Sequence, residues 1–395
     1  MNENLLTILK EHTPAYVFDI SVLHGRMRKL RAALPDGVRI CYAVKANPFL
    51  IKELSGLADC LEICSPGELS ICESLGVDPE KYVLSGVYKD PALFSSRIAE
   101  GKTAGIFTAE SLSQLKMLQD AASSSGRRIN VLLRLTSGSQ FGMCPEEVES
   151  AVSDASSYDA LILRGIQFFS GTQKTSIKKL KRELESVDLL LKKLYDNYGF
   201  RAQELEFGPG LPVSYFESDT YEEASFLAQF REALEAMEYE GRITLEMGRA
   251  ITASCGSYLT KVVDIKSNRA GNFAIVDGGM HQLVYYGQSM AMKKPHIRPF
   301  PEHPGDMAQD WTICGSLCTV NDLLVKQLSL SGLCVGDMLI FENTGAYCMT
   351  EGISLFLTRD LPEVMLLEEN GRLRMVRSRF ETSVLNCPDY SLGEC

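Results

Sequence analysis

The chain has 395 residues, of which 45% are hydrophobic and 23% charged, and its formal net charge is −11. This length exceeds one ordinary domain and suits a barrel joined to a smaller domain. The negative charge argues against nucleic acid or an anionic membrane as the main partner. No basic segment of the signal-peptide kind opens the sequence and no apolar run approaches transmembrane length, so we expect a cytoplasmic protein.

The 12 cysteines and five histidines form no recognisable ligand set. No two cysteines have C-x-x-C spacing; the pairs Cys60/Cys64 and Cys314/Cys318 are four residues apart and lack histidines at ligand spacing. We therefore expect neither a metal site nor a disulfide framework, and a reducing cytoplasm fits this composition.

Apolar runs alternate with amphipathic runs along the first 256 residues. A short strand candidate at 13–19 precedes a helix candidate at 20–34. Eight more strand candidates follow, at 39–46, 61–65, 81–86, 103–108, 129–136, 162–169, 204–208 and 242–247. Helix candidates between them include 66–75, 111–122, 145–155, 176–198 and 221–237. Eight such units in about 220 residues predict a (β/α)8 barrel. A doubly wound open sheet is the alternative, but it would require a glycine-rich turn after its first strand, and none is present.

After Gly256 the sequence loses its helical periodicity. Strand candidates separated by turns follow at 258–266, 273–277, 311–313, 338–341 and 364–367. This pattern predicts a separate, mostly antiparallel β domain. Because the N-terminal strand precedes the barrel, we expect it to pair with this late sheet. The predicted domains are therefore a barrel at 25–256 and a β-rich domain made of 1–24 and 257–395.

Lys45 ends an apolar, β-branched run and is followed closely by Asn47-Pro48, which turns the chain. This pattern predicts a buried strand that brings an amine to its carboxyl end. A desolvated lysine has a lowered pKa and can attack a carbonyl to form a Schiff base. Taken alone, a solvated ammonium is the commoner fate of such a lysine.

The last two barrel strands end in Gly208-Pro209-Gly210 and Glu246-Met247-Gly248-Arg249. In barrels of this kind, phosphate often binds in the loops after these strands. Glycines let backbone N–H groups approach an anion, and an arginine adds a bidentate charge. Each motif alone is an ordinary turn or surface ion pair. Together with Lys45 they match pyridoxal 5'-phosphate (PLP), whose aldehyde takes a lysine and whose pyridine nitrogen pairs with a carboxylate.

At this point the sequence resembles the fold-type III PLP-dependent decarboxylases, a family that includes diaminopimelate, ornithine and biosynthetic arginine decarboxylases. Nine motifs occur in the family's order, at residues 42–47, 65–69, 140–142, 171–173, 208–210, 246–249, 277–280, 315–318 and 344–347. The resemblance implies an alanine-racemase-like (β/α)8 barrel with a C-terminal, mostly antiparallel β domain. It also implies α-decarboxylation of an amino acid or amino-acid derivative through a Lys45 aldimine and a quinonoid.

The same resemblance assigns residue roles. Lys45 bears the cofactor, with Glu62 near it. Arg134 lies by the ring or its oxygen, and Glu246 pairs with the pyridine nitrogen. The phosphate is held by Thr172, Gly208, Gly210, Gly248, Arg249 and Tyr347. Cys318, on the β domain, reaches a neighbouring subunit's site and protonates the substrate carbon, which implies a homodimer with shared active sites.

Two departures from the family bear on the substrate. Phe169 stands where a histidine usually stacks on the PLP ring; an aromatic face can still stack there. Thr319 directly follows Cys318, where diamino-acid decarboxylases place Asp or Glu to hold the distal ammonium. A hydroxyl is a poor match for a buried ammonium. Asp322 follows three residues later, and we assign Thr319 and Asp322 to substrate binding.

These departures resemble the natural-product branch of the family, which includes decarboxylases of amino acids tethered to an acyl carrier protein, as in butirosin biosynthesis. We therefore expect a carrier-tethered or modified substrate instead of a simple free diamino acid. Three alternatives stay open: a diaminopimelate-, ornithine- or lysine-type decarboxylase, an amino-acid racemase, and a non-catalytic regulatory paralogue.

Overall fold

The computed structural model describes residues 1–102 and 104–389. Thr103, within one predicted strand, and residues 390–395 of the predicted β domain lie outside the described residues. The described chain divides into two compact units. One comprises Met27–Val213 and Tyr221–Ile251; the other comprises Met1–Arg26, Ser214–Thr220 and the described residues from Thr252 onward. Residues 25–26, 214–220 and 252–256, which were predicted to belong to the barrel domain, cluster with the β-rich unit.

The chain opens with helix α1 (Glu3–Leu9) and strand β1 (Ala15–Asp19), which belong to the β-rich unit. The eight parallel strands that follow close into a barrel, in which the last pairs with the first. They are β2 (Arg39–Ala43), β3 (Cys60–Ile63), β4 (Tyr82–Leu84), β5 (Ile106–Ala109), β6 (Ile129–Leu135), β7 (Leu161–Phe169), β8 (Glu204–Gly208) and β9 (Arg242–Met247). The predicted barrel is confirmed, and the open-sheet alternative is wrong.

Helix α2 precedes the first barrel strand, and the other helices of this part of the chain lie between the barrel strands or after the last one. They are α2 (Ile20–Ala33), α3 (Ile51–Ser55), α4 (Pro66–Ser74), α5 (Pro91–Ala99), α6 (Leu112–Ser124), α7 (Pro145–Ser153), α8 (Ile177–Tyr198), α9 (Glu223–Glu235) and α10 (Arg249–Thr252). Several begin at a side-chain cap; Ser176, for example, accepts a hydrogen bond from the backbone N–H of Lys179 at the start of α8. That helix buries a leucine-rich stripe and ends at Gly199, whose φ of 65° suits glycine.

The β-rich unit contains a nine-stranded sheet. Its strands after β1 are β10 (Gly256–Asn268), β11 (Gly271–Val276), β12 (Ile297–Phe300), β13 (Ala308–Cys314), β14 (Leu323–Ser331), β15 (Met338–Glu342), β16 (Glu363–Leu367) and β17 (Leu373–Arg377), and helix α11 (Ser383–Asn386) follows. The main order is β14-β13-β11-β10-β1-β16-β17, with β15 beside β10 and β12 beside β15. Among the described strands of this sheet, β1 and β16 are parallel, as are β11 and β13, and the other neighbouring pairs run antiparallel.

The N-terminal strand pairs with the late sheet, as predicted. β1 lies antiparallel to β10 and parallel to β16. Its Val17 packs in a buried cluster with Leu259, Ile340 and Met365. Strands β12, β14 and β17 were not predicted from the sequence; Pro299 lies within β12, and Gln327 within β14 has a left-handed φ of 54°. Within the part of the chain that the structure describes, no helix is long and apolar enough to span a membrane.

Candidate active site

Lys45 lies just beyond the carboxyl end of β2. The predicted strand through residue 46 is too long: β2 ends at Ala43, and Lys45 sits in a single 3-10 turn from Val44 to Ala46. Asn47 fixes this turn, because its backbone N–H donates to the carbonyl of Val44 and its side chain caps the next short helix. The chain therefore turns three residues earlier than predicted, and the Lys45 side chain is half-buried.

Two buried acids approach the Lys45 amine. Its Nζ donates to Oε2 of Glu62 at 2.7 Å, and Oε1 of Glu246 lies 3.5 Å away. Glu62 pairs in register with Ala43 across β2 and β3, so adjacent strand ends bring the acid and the amine together. Both acids are more than nine-tenths buried. The structure thus assembles the predicted lysine and both predicted acids at one point.

The two acids are held in different protonation states. Burial by itself raises the pKa of Glu62, but the Lys45 ammonium and hydrogen bonds lower it to about 2. Burial, followed by the neighbouring Glu62 carboxylate, raises the pKa of Glu246 to about 7. The pKa values of the two acids are therefore shifted in opposite directions, so that Glu62 favours the ionised form beside the lysine and Glu246 takes up a proton more readily. Pairs of titratable groups whose environments separate their pKa values are typical of catalytic sites.

The candidate phosphate cradle begins with Arg249 and Thr172. Arg249 opens α10 directly after Gly248, is 6% exposed, and its Nε lies 3.3 Å from Oγ1 of Thr172. Thr172 belongs to the loop after β7, so the contact joins the ends of two barrel strands. A buried guanidinium beside a hydroxyl gives the paired donors that phosphate oxygens accept.

Two glycines keep this region open. Gly210 has φ of +60°, and a Cβ there would lie 2.1 Å from the carbonyl oxygen of Gly171. A Cβ at Gly208 would lie 2.4 Å from the ring of Phe169, so that ring rests against the end of β8. Any side chain at either glycine would fill the space beside the cradle. Phe169 is the last residue of β7, so its ring lies at the barrel end that carries the cradle, and its predicted stacking on the PLP ring stays a prediction.

Arg134, near the end of β6, is held by an acid that the sequence analysis missed. Its Nη1 donates to Oε1 of Glu110 at 2.7 Å, and the second oxygen of Glu110 accepts the backbone N–H of Gly142 at 3.0 Å. The guanidinium also lies 4.8 Å from the ring centroid of Phe141. The available signal was the place of Glu110 directly after β5, at the barrel end where the chemistry gathers.

Two further residues at this end of the barrel were also missed. Cys64 follows β3, and its Sγ lies 3.7 Å from Nζ of Lys45. Lys89 is 5% exposed and donates to the carbonyl of Gly86 at 2.7 Å and to Oε1 of Gln114 at 3.1 Å. Burial lowers the pKa of Lys89 to about 8. Both belong to the surroundings of Lys45 and Arg134, although neither forms part of a motif.

The remaining predicted residues lie in the β-rich unit. Cys318 is an exposed free thiol in the loop after β13, and Thr319 beside it is half-buried. Tyr347 follows β15 with a left-handed backbone, φ 64°. Asp322 is 2% exposed, and its two oxygens accept backbone N–H groups, from Met280 at 2.7 Å and Leu317 at 2.8 Å. The roles assigned to these four residues, and the completion of a partner's site, stay predictions.

The barrel residues fit PLP. An amine between two buried acids and a cradle that a Cβ would fill match its aldehyde, ring nitrogen and phosphate. Lys45 would hold the aldehyde, Glu246 the pyridine nitrogen, and Thr172, Gly208, Gly210, Gly248 and Arg249 the phosphate. When bound, PLP supplies an electron sink for the charge that remains on the substrate carbon as CO2 departs.

Comparison with known proteins agrees with this fit. Residues 21–253 match the sequence model of the family described as pyridoxal-dependent decarboxylase, pyridoxal binding domain. The chain is 28% identical over 386 residues to diaminopimelate decarboxylase of Aquifex aeolicus, covering 93% of this chain and 89% of that protein. It is 26% identical over 398 residues to the L-glutamyl-BtrI acyl-carrier-protein decarboxylase of Niallia circulans, covering 93% and 91%.

A solved structure shows the same fold. The crystal structure of diaminopimelate decarboxylase from M. jannaschii has a TM-score of 0.85 and 22% sequence identity, covering 97% of this chain and 94% of that one. The family match spans more than half of the chain and coincides with the barrel that carries Lys45. The chain therefore belongs to the pyridoxal-dependent decarboxylases.

Proposed function

We propose that this PLP-dependent amino-acid decarboxylase acts on a derivative without a free distal ammonium, such as an amino acid tethered to an acyl carrier protein or otherwise modified. The supporting observation is the hydrogen bonding of the Asp322 carboxylate. It is the sole acid in the loop at residues 315–322, which also contains Cys318 and Thr319. Each of its two oxygens already accepts a backbone N–H of its own unit.

Asp322 stabilises its own loop. Besides accepting from Met280 and Leu317, it packs so tightly that a Cβ at Gly315 would lie 2.2 Å from one of its oxygens. Its backbone carbonyl also accepts the N–H of Gly315. Releasing a buried carboxylate from two such donors would leave them unsatisfied, which is unfavourable. Asp322 is therefore poorly placed to bind an ammonium, and the geometry does not favour its predicted role in substrate binding.

Thr319 has no charge with which to replace the Asp322 carboxylate as a partner for an ammonium. Its hydroxyl accepts a weak hydrogen bond from the backbone N–H of Asn321 at 3.4 Å, and its own N–H donates to the carbonyl of Leu317. An ammonium beside an uncharged hydroxyl would be desolvated without a partner. A substrate whose distal end is an amide or an acyl linkage is uncharged there and does not need a carboxylate partner.

The relatives support two substrate classes. Similarity to the L-glutamyl carrier-protein decarboxylase favours the tethered substrate. Similarity to the Aquifex aeolicus enzyme favours diaminopimelate, the second candidate. Membership of a decarboxylase family favours neither the racemase nor the regulatory alternative. In the proposed homodimer, Cys318 of one subunit would return a proton to the substrate carbon at the other subunit's Lys45.

Release of CO2 tests the substrate class. We would measure kcat/KM with free lysine, ornithine and meso-diaminopimelate, with N-acylated amino acids, and with L-glutamate loaded on a carrier protein. We expect turnover only with the acylated or tethered substrates. High kcat/KM on a free diamino acid would overturn the proposed substrate class and leave the decarboxylase assignment intact.

A gain-of-function variant sharpens this test. Thr319→Asp introduces the missing carboxylate and should raise kcat/KM for a free diamino acid by about tenfold to a hundredfold, the strength of a hydrogen bond to a charged group. Val320→Asp is the matched control, because Val320 is the next residue and is 86% exposed. An equal gain in both variants would contradict the role of Thr319.

A further inference from the structure

We infer that the ion pair between Lys174 and Glu183 positions the loop at residues 170–174, and thereby sets the affinity of the barrel for the phosphate group of its cofactor. We call this loop the phosphate loop, because it contains Thr172. The inference rests on the PLP assignment, and it names two positioning residues that lie outside every motif of the sequence analysis.

One carboxylate joins the two ends of the phosphate loop. Oε2 of Glu183, on α8, lies 2.6 Å from Nζ of Lys174, the last residue of the loop. Oε1 of the same carboxylate accepts the hydroxyl of Ser170, the first residue, at 2.5 Å. The side chains of Lys174 and Glu183 are 3% and 12% exposed. Burial lowers the pKa of Lys174, and the Glu183 carboxylate opposes this effect.

The opposite side of the loop is bound to the segment after β8. The backbone N–H of Lys174 donates to the carbonyl of Gly210 at 2.9 Å. Gln173 donates from Nε2 to the carbonyl of Val213 at 3.0 Å and accepts the N–H of Val213 through Oε1 at 2.7 Å. Gln173 has φ of 53°, a conformation that a non-glycine residue keeps where its surroundings fix it.

Thr172 lies between these two sets of contacts. With α8 on one side and the Gly210 segment on the other, its hydroxyl is held 3.3 Å from Nε of Arg249. Binding groups act well when their neighbours hold them to within about 0.5 Å. Loss of the ion pair would free one side of the loop, so recognition of phosphate should weaken while recognition of the pyridine ring should not.

Comparison of PLP with pyridoxal isolates this effect, because pyridoxal has the same ring and aldehyde without the phosphate. We would remove PLP from the holoenzyme and measure the dissociation constants of both compounds by absorbance, for Lys174→Met, Glu183→Gln and the double variant. We expect PLP to bind about tenfold to a hundredfold more weakly, the usual range when the partner of a ligand-holding group is removed. Pyridoxal affinity should change by less than about twofold, since the ion pair holds the loop that carries Thr172 and pyridoxal has no phosphate for that loop to bind.

Controls separate positioning from a general loss of structure. Lys192, on the same helix as Glu183, forms an exposed ion pair with Glu238 beyond α9; Lys192→Met breaks that pair and should leave both affinities unchanged. The double variant leaves no unpaired buried charge, so it is expected to fold even if a single variant does not. Ser170→Ala removes one hydrogen bond and keeps the ion pair, and should weaken PLP binding by a smaller factor in the same direction.

The inference is overturned if the Lys174, Glu183 and Ser170 variants all keep the wild-type PLP affinity, or if their PLP and pyridoxal affinities fall together. A wild-type enzyme that binds neither compound would instead contradict the cofactor assignment. The two failures are therefore distinguishable.

Discussion

The amine of Lys45 and the carboxylate of Glu62 form a 2.7 Å ion pair in which the acid is 1% exposed. Taking a carboxylate out of water is unfavourable unless a partner compensates it. In the protein without cofactor, Lys45 is that partner. The residue that would bond to PLP therefore also neutralises the acid beneath it.

Replacement of Lys45 tests its predicted role as the residue that bonds to PLP. Lys45→Ala should abolish the visible absorbance of lysine-linked PLP and lower kcat by at least about a thousandfold, because the covalent attachment is lost. Absorption spectra and CO2 release would be recorded together. Lys52→Ala is the control, since Lys52 is an exposed lysine on the adjoining helix α3. An unchanged visible spectrum in Lys45→Ala would refute the assignment.

Replacement of Glu62 tests the ion pair with Lys45 through the pH dependence of the stability of the folded protein. The pKa of Glu62 is lowered from 4.5 to about 2, so the ionised acid stabilises the folded protein above pH 4.5. This stabilisation is lost as the pH falls from about 4.5 through about 2, and it is on the order of 3 kcal/mol. We expect the cofactor-free wild type to lose more stability across this window than Glu62→Gln. Urea unfolding at each pH measures the difference; parallel curves would contradict the ion pair.

Much of this site follows from local sequence patterns. β8 and β9 have the predicted bounds, 204–208 and 242–247, because their apolar runs are closed by glycine-containing motifs. The same motifs bring Gly210 and Arg249 to the barrel end. α8 is long and strongly amphipathic, so its period identifies it within one residue of the predicted start.

The residues that were missed are those whose partners lie far away in the chain. Glu110 is 24 residues from Arg134, and Cys64 is 19 residues from Lys45. A single sequence gives no pairing between such positions. Lys45 was misplaced for a local reason: the apolar run continues beyond the strand, and the turn depends on hydrogen bonds of Asn47 that periodicity does not reveal.

Gly210 and Gly199 offer a matched comparison of backbone strain with site geometry. Both have left-handed φ, +60° and +65°, but a Cβ at Gly199 would meet nothing within 4 Å. Gly199→Ala should therefore lower stability by about 1 kcal/mol and leave PLP affinity unchanged. Gly210→Ala adds a clash with the carbonyl of Gly171 and should weaken PLP binding at least about tenfold, because the cradle must shift. Thermal unfolding and PLP titration separate the two effects; equal PLP affinities in both variants would count against the cradle.

Cys318 is the residue whose assignment depends most on family resemblance. Cys318→Ala should bind PLP normally, because the barrel supplies the cradle, but turnover should fall by about a hundredfold or more, the usual contribution of a positioned proton donor. The altered enzyme should also release products other than the expected amine, because the substrate carbon would be left without its proton donor. Cys334→Ala is the control, being another exposed free thiol in the β-rich unit. Spectra, CO2 release and product analysis would be compared across the three proteins, and full normal turnover by Cys318→Ala would remove this residue from the proposed mechanism.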